Sequence, residues 1–596
     1  MRKLQLLILA AAVAAGAIWY FFYRSQHTSS VAVTSLLPKE TLAFVHLPDF
    51  DRSREDWHRT DLYQLWMEPA VQDFLAKPRS KIPKAGSVGQ TVEEMEALEI
   101  RDAFVALVSI EHSAWKIVGG FRCKEGAEAD KIVAHWRGKL LGDASDLKHQ
   151  AEEYQGHQIQ TASSGIFNLS TVRAGNWIFF GNDVEHVKPL LDRADGRRKE
   201  PQTLLLADPA FLATSKHMPS SYAALTYARV NQIVEKLAPA SGQDDGPQTD
   251  RLASLRQVRD FCVATSFDEG KIRDTLFVGM PKIADVGSLA RTSLSLGTSD
   301  TFFYAASLLN LTKEMGLGPE ITGIGWLGVV RQITNALSAN GIGLDEWKSA
   351  FGPELSLVGD WPTNSRWPAL FVTLPVKDLA KANRIVTTIT STTSDGEEWR
   401  HQEKEGIHYF SRTPSGQLFS FSPAVGLSKQ ILVAGMDTGT VEAAMRRTTT
   451  GNSGLSASKP FQDAERTLPP SEQSFAYFDP ALIYARFDAT LRPVLVMGAA
   501  FMPGIADNVD LSKLPPAETI TKHLSPLAMS QRYDDEGYEA KSIGPLPLYP
   551  TILGSVIATG IYRGFDLGRQ PSALHLSLPA GSSPTASPAP TPEDSP

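Results

Sequence analysis

The sequence predicts an α+β protein of two homologous tandem domains, each a mainly antiparallel sheet with helices packed on one side, behind an N-terminal transmembrane helix. The first observation is an internal repeat, because residues 177–191 return at residues 431–445 with the same glycine and aspartate positions. The second is a succession of strand-like segments without helices between them, which favours antiparallel pairing over a doubly wound parallel sheet. The third is an uncharged apolar run at the start of the chain.

Composition is that of a folded globular protein. Of the 596 residues, 42% are hydrophobic and 21% are charged, which is enough apolar surface to bury a core. The net charge is -8 at pH 7, so no general positive field attracts phosphate backbones, and we expect no nucleic-acid partner. Cys123 and Cys262 lie in apolar runs, where they are either buried free thiols or a disulfide inside the first repeat. No C-x-x-C pair begins a zinc site.

Residues 1–25 are predicted to form a membrane anchor. Two basic residues precede the uncharged run 4–23, which as a helix rising ~1.5 Å per residue spans a ~30 Å hydrocarbon core. Aromatic residues at 19–23 suit a membrane interface and lengthen the run, but Ala15-Gly16-Ala17 also fits a signal-peptidase site. Whether or not the helix is cleaved, the basic start stays inside and the rest of the chain crosses the membrane.

The first repeat, residues 30–283, opens with a strand at 42–47. His46 in this strand is expected to be a strand residue near an edge of the sheet and not a catalytic base. A helix follows at residues 62–75, where apolar residues recur at i, i+3 and i+4, Pro69 begins a second part, and the tryptophan and phenylalanine face the core.

These opening segments also carry a resemblance. Residues 37–49 read L-P-x-x-T-x-x-F-V-x-L-P-D, and with the helix that follows they resemble the start of a family of bacterial membrane-anchored proteins known only as a domain of unknown function. The resemblance implies an envelope protein anchored once in the bacterial inner membrane, with most of the chain on the periplasmic side. It implies no active-site residues.

The remainder of the first repeat is predicted as strands, helices and a closing hairpin. Helices are expected at 92–98 and 127–141, and strands at 103–110, 115–121, 154–161, 166–172, 261–267 and 271–278. The helix after the repeated Gly-Asp turn contains Pro189, which a helix tolerates in its first turn. We therefore predict His186 as its N-cap, with Thr440 at the aligned position.

A linker at residues 284–298 leads to the second repeat, residues 299–545, which shows the same landmarks in the same order. The apolar segment 546–563 is either buried against the second repeat or a second membrane crossing. Residues 570–596 are rich in proline and serine, a composition that cannot bury a core, so we expect a disordered tail.

The motif search predicts no enzyme and no catalytic, cofactor or metal residues. Ser113 with Lys116 and Ser145 with Lys148 fit the S-x-x-K spacing of serine-lysine nucleophiles, but the companion motifs of those enzymes are missing. The closest histidines, His401 and His408, lack zinc-ligand spacing.

Three functions are compatible with the sequence. The favoured one is an envelope interaction or structural protein, whose partners are the membrane through the N-terminal helix and envelope proteins or lipid. The second is a lipid or apolar-ligand binder, which a cavity of several hundred Å³ would support. The third is an envelope hydrolase, which converging carboxylates or a Ser-His pair in a cleft would support.

Overall fold

The computed structural model describes residues 33–81, 99–111, 114–123, 131, 133–134, 148–164, 167–197, 200–237, 256–282, 287–309, 337–391, 399–412, 422–450, 454–499 and 509–550. These residues fall within one compact unit, residues 1–550. Several predicted segments lie outside them: the anchor, the helix at 92–98, most of the helix at 127–141, the tail, and all but the first five residues of the apolar segment 546–563.

Within these described ranges, twenty strands form one sheet. They are β1 (Ala43–Leu47), β2 (Asp102–Glu111), β3 (Ala114–Arg122), β4 (Lys148–Tyr154), β5 (His157–Ser164), β6 (Phe167–Ala174), β7 (Trp177–Gly181), β8 (Ala224–Ala228), β9 (Asp260–Asp268), β10 (Lys271–Gly279), β11 (Thr301–Leu308), β12 (Glu354–Asp360), β13 (Ala369–Pro375), β14 (Trp399–Lys404), β15 (Ile407–Arg412), β16 (Ala424–Leu427), β17 (Ile431–Gly435), β18 (Ser474–Phe478), β19 (Leu527–Tyr533) and β20 (Tyr538–Gly544).

Every pairing between these strands is antiparallel, and the order is the same in both halves of the chain. Outward from the middle, the first half runs β10-β9-β8-β1-β2-β3-β7-β6-β5-β4. The second half runs β20-β19-β18-β11-β12-β13-β17-β16-β15-β14. The predicted α+β class with a mainly antiparallel sheet is therefore confirmed.

The two halves of the sheet are joined by the pairing of β10 with β20. Seven residues of β10, from Ile272 to Val278, pair with β20, and the centre of this ladder aligns Asp274 with Ser542 and Thr275 with Lys541. Each of the two strands belongs to a closing hairpin, and the first hairpin turns at Glu269 and Gly270, both with positive φ. That geometry suits a tight two-residue turn. The sheet is thus continuous from one half to the other.

Helices cover both faces of the sheet. They are α1 (Phe50–His58), α2 (Asp61–Met67), α3 (Pro69–Lys81), α4 (Val184–Ala194), α5 (Pro209–Ser215), α6 (Val230–Leu237), α7 (Leu344–Ala350), α8 (Leu379–Ser391), α9 (Thr438–Thr450), α10 (Lys459–Arg466), α11 (Pro480–Thr490), α12 (Arg492–Ala499) and α13 (Ala517–Thr521).

The prediction of helices on one side only was wrong. In the first half, Val187 of α4 and Phe211 of α5 join a core with Phe179 of β7. Phe50 of α1 packs instead with Ile178, the neighbouring residue of β7. Because successive strand residues point to opposite faces, these two cores lie on opposite sides of the sheet. The second half is also covered on two sides, by α9 and α10 in one core and by α7 and α8 in another.

The helix after the repeated Gly-Asp turn begins earlier than predicted. Asp183, not His186, is the N-cap of α4, and its carboxylate accepts the Glu185 amide at 3.0 Å. In the second half Asp437 accepts the Thr440 amide at 2.8 Å. An aspartate outcompetes the later residues because its carboxylate favours the positive helix end. Pro189 consequently lies inside α4 and not in its first turn.

Three further predictions need correction. The predicted strand at 154–161 is interrupted by a turn at Gln155 and Gly156, whose positive φ angles separate β4 from β5. His46 is not near an edge, because β1 pairs with β2 on one side and β8 on the other. Pro69 does begin a new helix, but α2 buries none of its residues fully, so Trp66 is only partly buried.

None of the helices in the described ranges is long and apolar enough to span a membrane.

Candidate functional site

A polar cluster lies in the core of the first half. The imidazole of His46 is hydrogen-bonded through Nδ1 to the Tyr222 hydroxyl at 3.0 Å and through Nε2 to Asp102 Oδ1 at 3.1 Å. His46 is 4% exposed and Asp102 is fully buried. The two hydrogen bonds join β1, β2 and the segment that leads into β8, so this cluster of acid, imidazole and phenol holds three segments together.

The second half carries different residues at the same sheet positions. Strand register places Ala306 where β1 has His46, and Glu354 where β2 has Asp102. Glu354 is also buried, but its carboxylate accepts a hydrogen bond from the Thr292 hydroxyl at 3.1 Å. The buried acid is therefore kept in both halves, whereas its partner changes from an imidazole to a hydroxyl. This is the behaviour of a structural polar network, in which each buried group needs some partner.

Asp274 is a second buried acid, at the centre of the β10–β20 ladder. Its side chain is fully buried, and its oxygens accept the Thr265 hydroxyl at 2.6 Å and the backbone amide of Leu548 at 2.6 Å. The amide of Tyr549 lies at 3.3 Å and the Ser542 hydroxyl at 3.5 Å. The carboxylate thus ties the start of the apolar C-terminal segment to the place where the two halves meet.

No cation neutralises Asp274 among these contacts, which are hydroxyls and backbone amides. Burial raises the pKa of its carboxyl group to about 6, although the hydrogen bonds from Thr265 and the two amides oppose that rise. Tyr549 packs over the ladder and is 3% exposed. A small, partly open crevice that it lines together with Leu276 and Tyr538, among others, has a volume of about 20 Å³. That space admits roughly one water molecule and excludes a lipid.

A surface groove lies at the hairpin between β12 and β13. Its volume is about 300 Å³, and it is lined by Thr363, Asn364, Ser365, Arg366, Thr490 and Val494. The hairpin loop is held in shape by the Trp361 indole, which donates to the Ser365 carbonyl at 3.3 Å. The Ser365 hydroxyl in turn donates to the Trp367 carbonyl at 2.6 Å.

Arg486 of α11 fixes this loop to the helices beside it. Its Nε donates to the Trp361 carbonyl at 2.9 Å, and its Nη2 contacts the Asp300 carboxylate at 2.5 Å. At the following turn Arg492 pairs with Asp488 at 2.6 Å and donates to the Leu514 carbonyl at 2.7 Å. These contacts fix the loop to α11 and fix α11 to α12.

Large exposed apolar side chains lie in the loop and the helix that line the groove, and Val494 is itself one of the lining residues. Trp367 is 53% exposed, and α12 exposes Val494, Leu495 and Met497 to 37%, 42% and 64%. Singly exposed apolar residues are ordinary, but several on the two segments that line one polar groove are typical of a contact site. We call this set the Trp367 surface, defined by Thr363, Asn364, Arg366, Trp367, Thr490, Val494, Leu495 and Met497.

The corresponding hairpin of the first half differs in charge. Trp115 near the tip of the β2–β3 hairpin is 37% exposed. The next residue, Lys116, contacts Asp183 at 2.5 Å and Glu111 at 3.8 Å, so Trp115 has acidic neighbours. Arg366, by contrast, lies 5.9 Å from the Trp367 ring and has no acidic partner within the described residues.

The residues singled out by sequence motifs do not assemble into a site. Lys116 is engaged by Asp183, while Ser113 and Ser145 lie outside the described residues. His401 and His408 stack across the β14–β15 hairpin with Nε2 and Nδ1 3.3 Å apart, at an exposed position. In the parts of the chain that the structure covers, no three His, Cys, Asp or Glu side chains form a group that could hold a metal ion.

The two cysteines are free and buried, which confirms the first of the two alternatives for them. Burial raises the pKa of the Cys262 thiol far above its usual value, so it is an inert apolar filler.

Local sequence patterns did not predict Asp274, Asp102 or the Trp367 surface as candidate sites. Asp274 could have been predicted to be buried, because it lies on the same face of β10 as Ile272 and Leu276. An acid on such an apolar face needs hydrogen-bond partners. Asp102 is likewise in phase with Phe104. Exposure of Trp367 follows from its place in a loop before Pro368.

Comparison with known proteins adds the following. No protein-family model matches the chain, and no curated protein matches it. Crystal forms I, III and IV of the protein TP0453 match at 9% identity, with TM-scores of 0.22, 0.23 and 0.22. They cover 42–43% of this chain and 81–84% of TP0453. Likeness at this level carries no argument about function.

Proposed function

We propose that the protein is a membrane-anchored, extracytoplasmic envelope protein that works through surface contacts and not through catalysis. The observation that carries this proposal is the Trp367 surface, in which exposed apolar side chains adjoin a polar groove on a rigid loop. Such a combination is typical of binding sites on otherwise polar surfaces. The buried acids support the same conclusion, because each is engaged in holding strands together.

The anchored topology rests on the N-terminal sequence and is tested by thiol labelling. Cys123 and Cys262 are buried, so a Thr363→Cys variant presents one reactive thiol on an exposed loop. A membrane-impermeant maleimide should label it in cells whose outer membrane alone has been opened. Labelling that requires rupture of the inner membrane would overturn the proposed location.

The contact function is tested by photo-crosslinking from two exposed positions. A photoreactive amino acid at Thr363 lies in the Trp367 surface, whereas one at Leu206, which is 48% exposed, lies outside it. We expect discrete cross-linked products from position 363 in living cells and none from position 206. Equal products from both positions, or none from 363, would contradict a dedicated surface.

We also propose that the two halves arose by duplication of one ancestral domain. The identical strand order in the two halves supports this, as do the aligned caps Asp183 and Asp437. The shared positions are turn and core residues, while the partners of the buried acids differ. A duplication of this kind keeps the architecture and frees the surface of one half to specialise. The Trp367 surface lies in the second half.

A further inference from the structure

We propose that the Trp367 surface docks on the anionic phospholipid surface of the membrane that anchors the chain. This inference rests on the proposed function and names the partner of its site. The occupant is a lipid headgroup layer with α12 lying at the boundary of the acyl region.

The Trp367 surface places polar side chains beside apolar ones, as a bilayer surface places polar headgroups beside apolar acyl chains. Thr363, Asn364 and Thr490 line the groove with hydroxyl and amide groups that hydrogen-bond to phosphate and glycerol oxygens. Leu495 and Met497 lie on the neighbouring helix, which carries no charge after Arg492. A helix with exposed apolar side chains beside polar groups is suited to lie in the interface plane of a bilayer.

The exposed Trp367 is suited to the same interface region of the bilayer, between the headgroups and the acyl chains. Indole rings concentrate at membrane interfaces, where the ring contacts the apolar region while its N–H meets water or headgroups. The Trp367 backbone is fixed by the Ser365 hydroxyl, which donates to its carbonyl, and the residue is more than half exposed. The loop thus leaves Trp367 accessible to a membrane surface.

Charge favours a lipid with a negative headgroup. Arg486 is paired with Asp300 and Arg492 with Asp488, so these two arginines are already neutralised. Arg366 is exposed and has no acidic partner among the described residues, which leaves one uncompensated positive charge beside Trp367. A single arginine near an anionic bilayer contributes about fivefold to binding, equivalent to about 1 kcal/mol.

Tether length is consistent with contact. Only residues 25–32 separate the proposed anchor from Val33, where the described chain begins. Eight residues fully extended reach less than ~30 Å. The folded part is therefore confined near the bilayer, and a weak surface contact is strengthened by high effective concentration.

The test uses the full-length chain reconstituted through its own N-terminal segment into vesicles of phosphatidylcholine with phosphatidylglycerol. A nitrobenzoxadiazole probe is attached at Met497→Cys, with Ala114→Cys on the acidic first-half hairpin as the matched control. Lipids with a spin label near the headgroup report contact by quenching. We expect strong quenching at 497 and little at 114, because position 114 has acidic neighbours.

Substitutions at Arg366 then test the proposed chemistry. Arg366→Gln should lower the ratio of docked to undocked protein about fivefold, whereas Arg366→Lys should restore most of it. Replacing phosphatidylglycerol by phosphatidylcholine should have the effect of Arg366→Gln in the native chain. Circular dichroism of each variant checks that the fold is retained, as expected for an exposed side chain.

Two outcomes separate failure of this inference from failure of the proposed function. If the probe at 497 is unquenched while position 363 cross-links to a protein in cells, the lipid assignment is overturned and the contact function stands. If position 363 yields no product and the thiol labels only from the cytoplasm, both are overturned. Quenching that is unchanged by Arg366→Gln and by the replacement of phosphatidylglycerol would also reject the anionic surface as the partner.

Discussion

At the scale of residues, individual buried carboxyl groups determine which segments of the protein are held together by hydrogen bonds. Asp102 and Glu354 occupy matching positions and form hydrogen bonds with different partners, an imidazole in one half and a hydroxyl in the other. Asp274 has no counterpart of this kind and instead accepts amides from the C-terminal segment. A buried carboxylate without a cation is costly when ionised, so its position at the joint links protonation to stability.

Replacing Asp274 by asparagine should remove a pH-dependent loss of stability. The pKa of the folded carboxyl group is raised from 3.8 to about 6, so between these values the folded state binds more protons than the unfolded state. Stability therefore falls as the pH rises through this window, by about 3 kcal/mol in total. Asp274→Asn should lack this fall, measured by urea unfolding from acidic to neutral pH.

Asp535→Asn is the control for this experiment, because Asp535 is exposed in the turn between β19 and β20. Its pH profile should parallel that of the native protein. Parallel profiles for Asp274→Asn and the native protein would show that Asp274 does not carry the linkage.

At the scale of elements, β3 shows how closely neighbouring strands of the sheet approach one another. A Cβ atom added at Gly119 would lie 2.3 Å from the Phe180 ring and 2.8 Å from the Phe104 carbonyl oxygen. The ring could turn away, but the carbonyl belongs to the paired strand β2 and cannot move without breaking the ladder. Glycine is therefore required by close packing at this position.

Gly119→Ala should destabilise the protein by about 1–3 kcal/mol, the typical cost of overpacking. Gly343→Ala is the matched control, since an added Cβ there meets nothing within 4 Å. Thermal unfolding of the two variants should show a lowered midpoint for position 119 alone. Equal midpoints would mean that the sheet accommodates the methyl group by a shift of β2.

Local sequence patterns predicted most elements but not their partners. The closing hairpin at β9 and β10 was predicted nearly to the residue, because Asp-Glu-Gly between two alternating runs allows little else. The β4–β5 turn at Gln155 and Gly156 has the same form as the turn at Glu269 and Gly270, but it was missed because the predicted strand ran through it from residue 154 to residue 161. The helix cap was misplaced because Pro189 was given more weight than the aspartate that begins the helix.

Strand order and contacts between residues far apart in the sequence could not be predicted from local patterns at all. Strand order depends on which apolar faces meet after folding, and His46 gave no sign that Tyr222 would lie beside it. The Trp367 surface was hidden for a similar reason, since exposure is decided by what fails to pack over a side chain. Apolar residues in the sequence are expected inside, and only the fold shows which remain outside.

At the scale of the whole molecule, the β10–β20 ladder makes two halves into one sheet. Further contacts cross the same boundary: His523 and Lys522 bond Glu68 at 2.6 and 2.7 Å, and Lys216 bonds Glu536 at 2.7 Å. The hydrogen bonds from Lys522 and His523 lower the pKa of the Glu68 carboxyl group. Exposed pairs of this type contribute little individually, so the ladder itself is the main coupling.

Breaking that ladder should separate the unfolding of the two halves. Lys541 lies in β20 between Thr275 of β10 and Ser530 of β19, so a proline there removes a backbone donor inside the sheet. We expect the native protein to unfold in one calorimetric transition and Lys541→Pro in two. Lys541→Ala, which loses only the 2.9 Å contact with Glu539, should keep one transition.

A single transition for Lys541→Pro would show that the halves are coupled elsewhere, for instance through the Glu68 contacts. Two transitions in the native protein would mean that the ladder joins the halves without making them cooperative.

The strands at the two ends of the sheet determine whether neighbouring molecules can add to it. In the described chain β4 pairs only with β5, and β14 only with β15, so each presents a row of open backbone groups. Since both ends are built alike, head-to-tail addition of molecules would have no closing point and would extend into a fibre. The sequences K-H-Q-A-E-E-Y and W-R-H-Q-E-K place charges along both rows. The charged side chains oppose the pairing of a further strand at either end of the sheet, and so disfavour polymerisation of the protein.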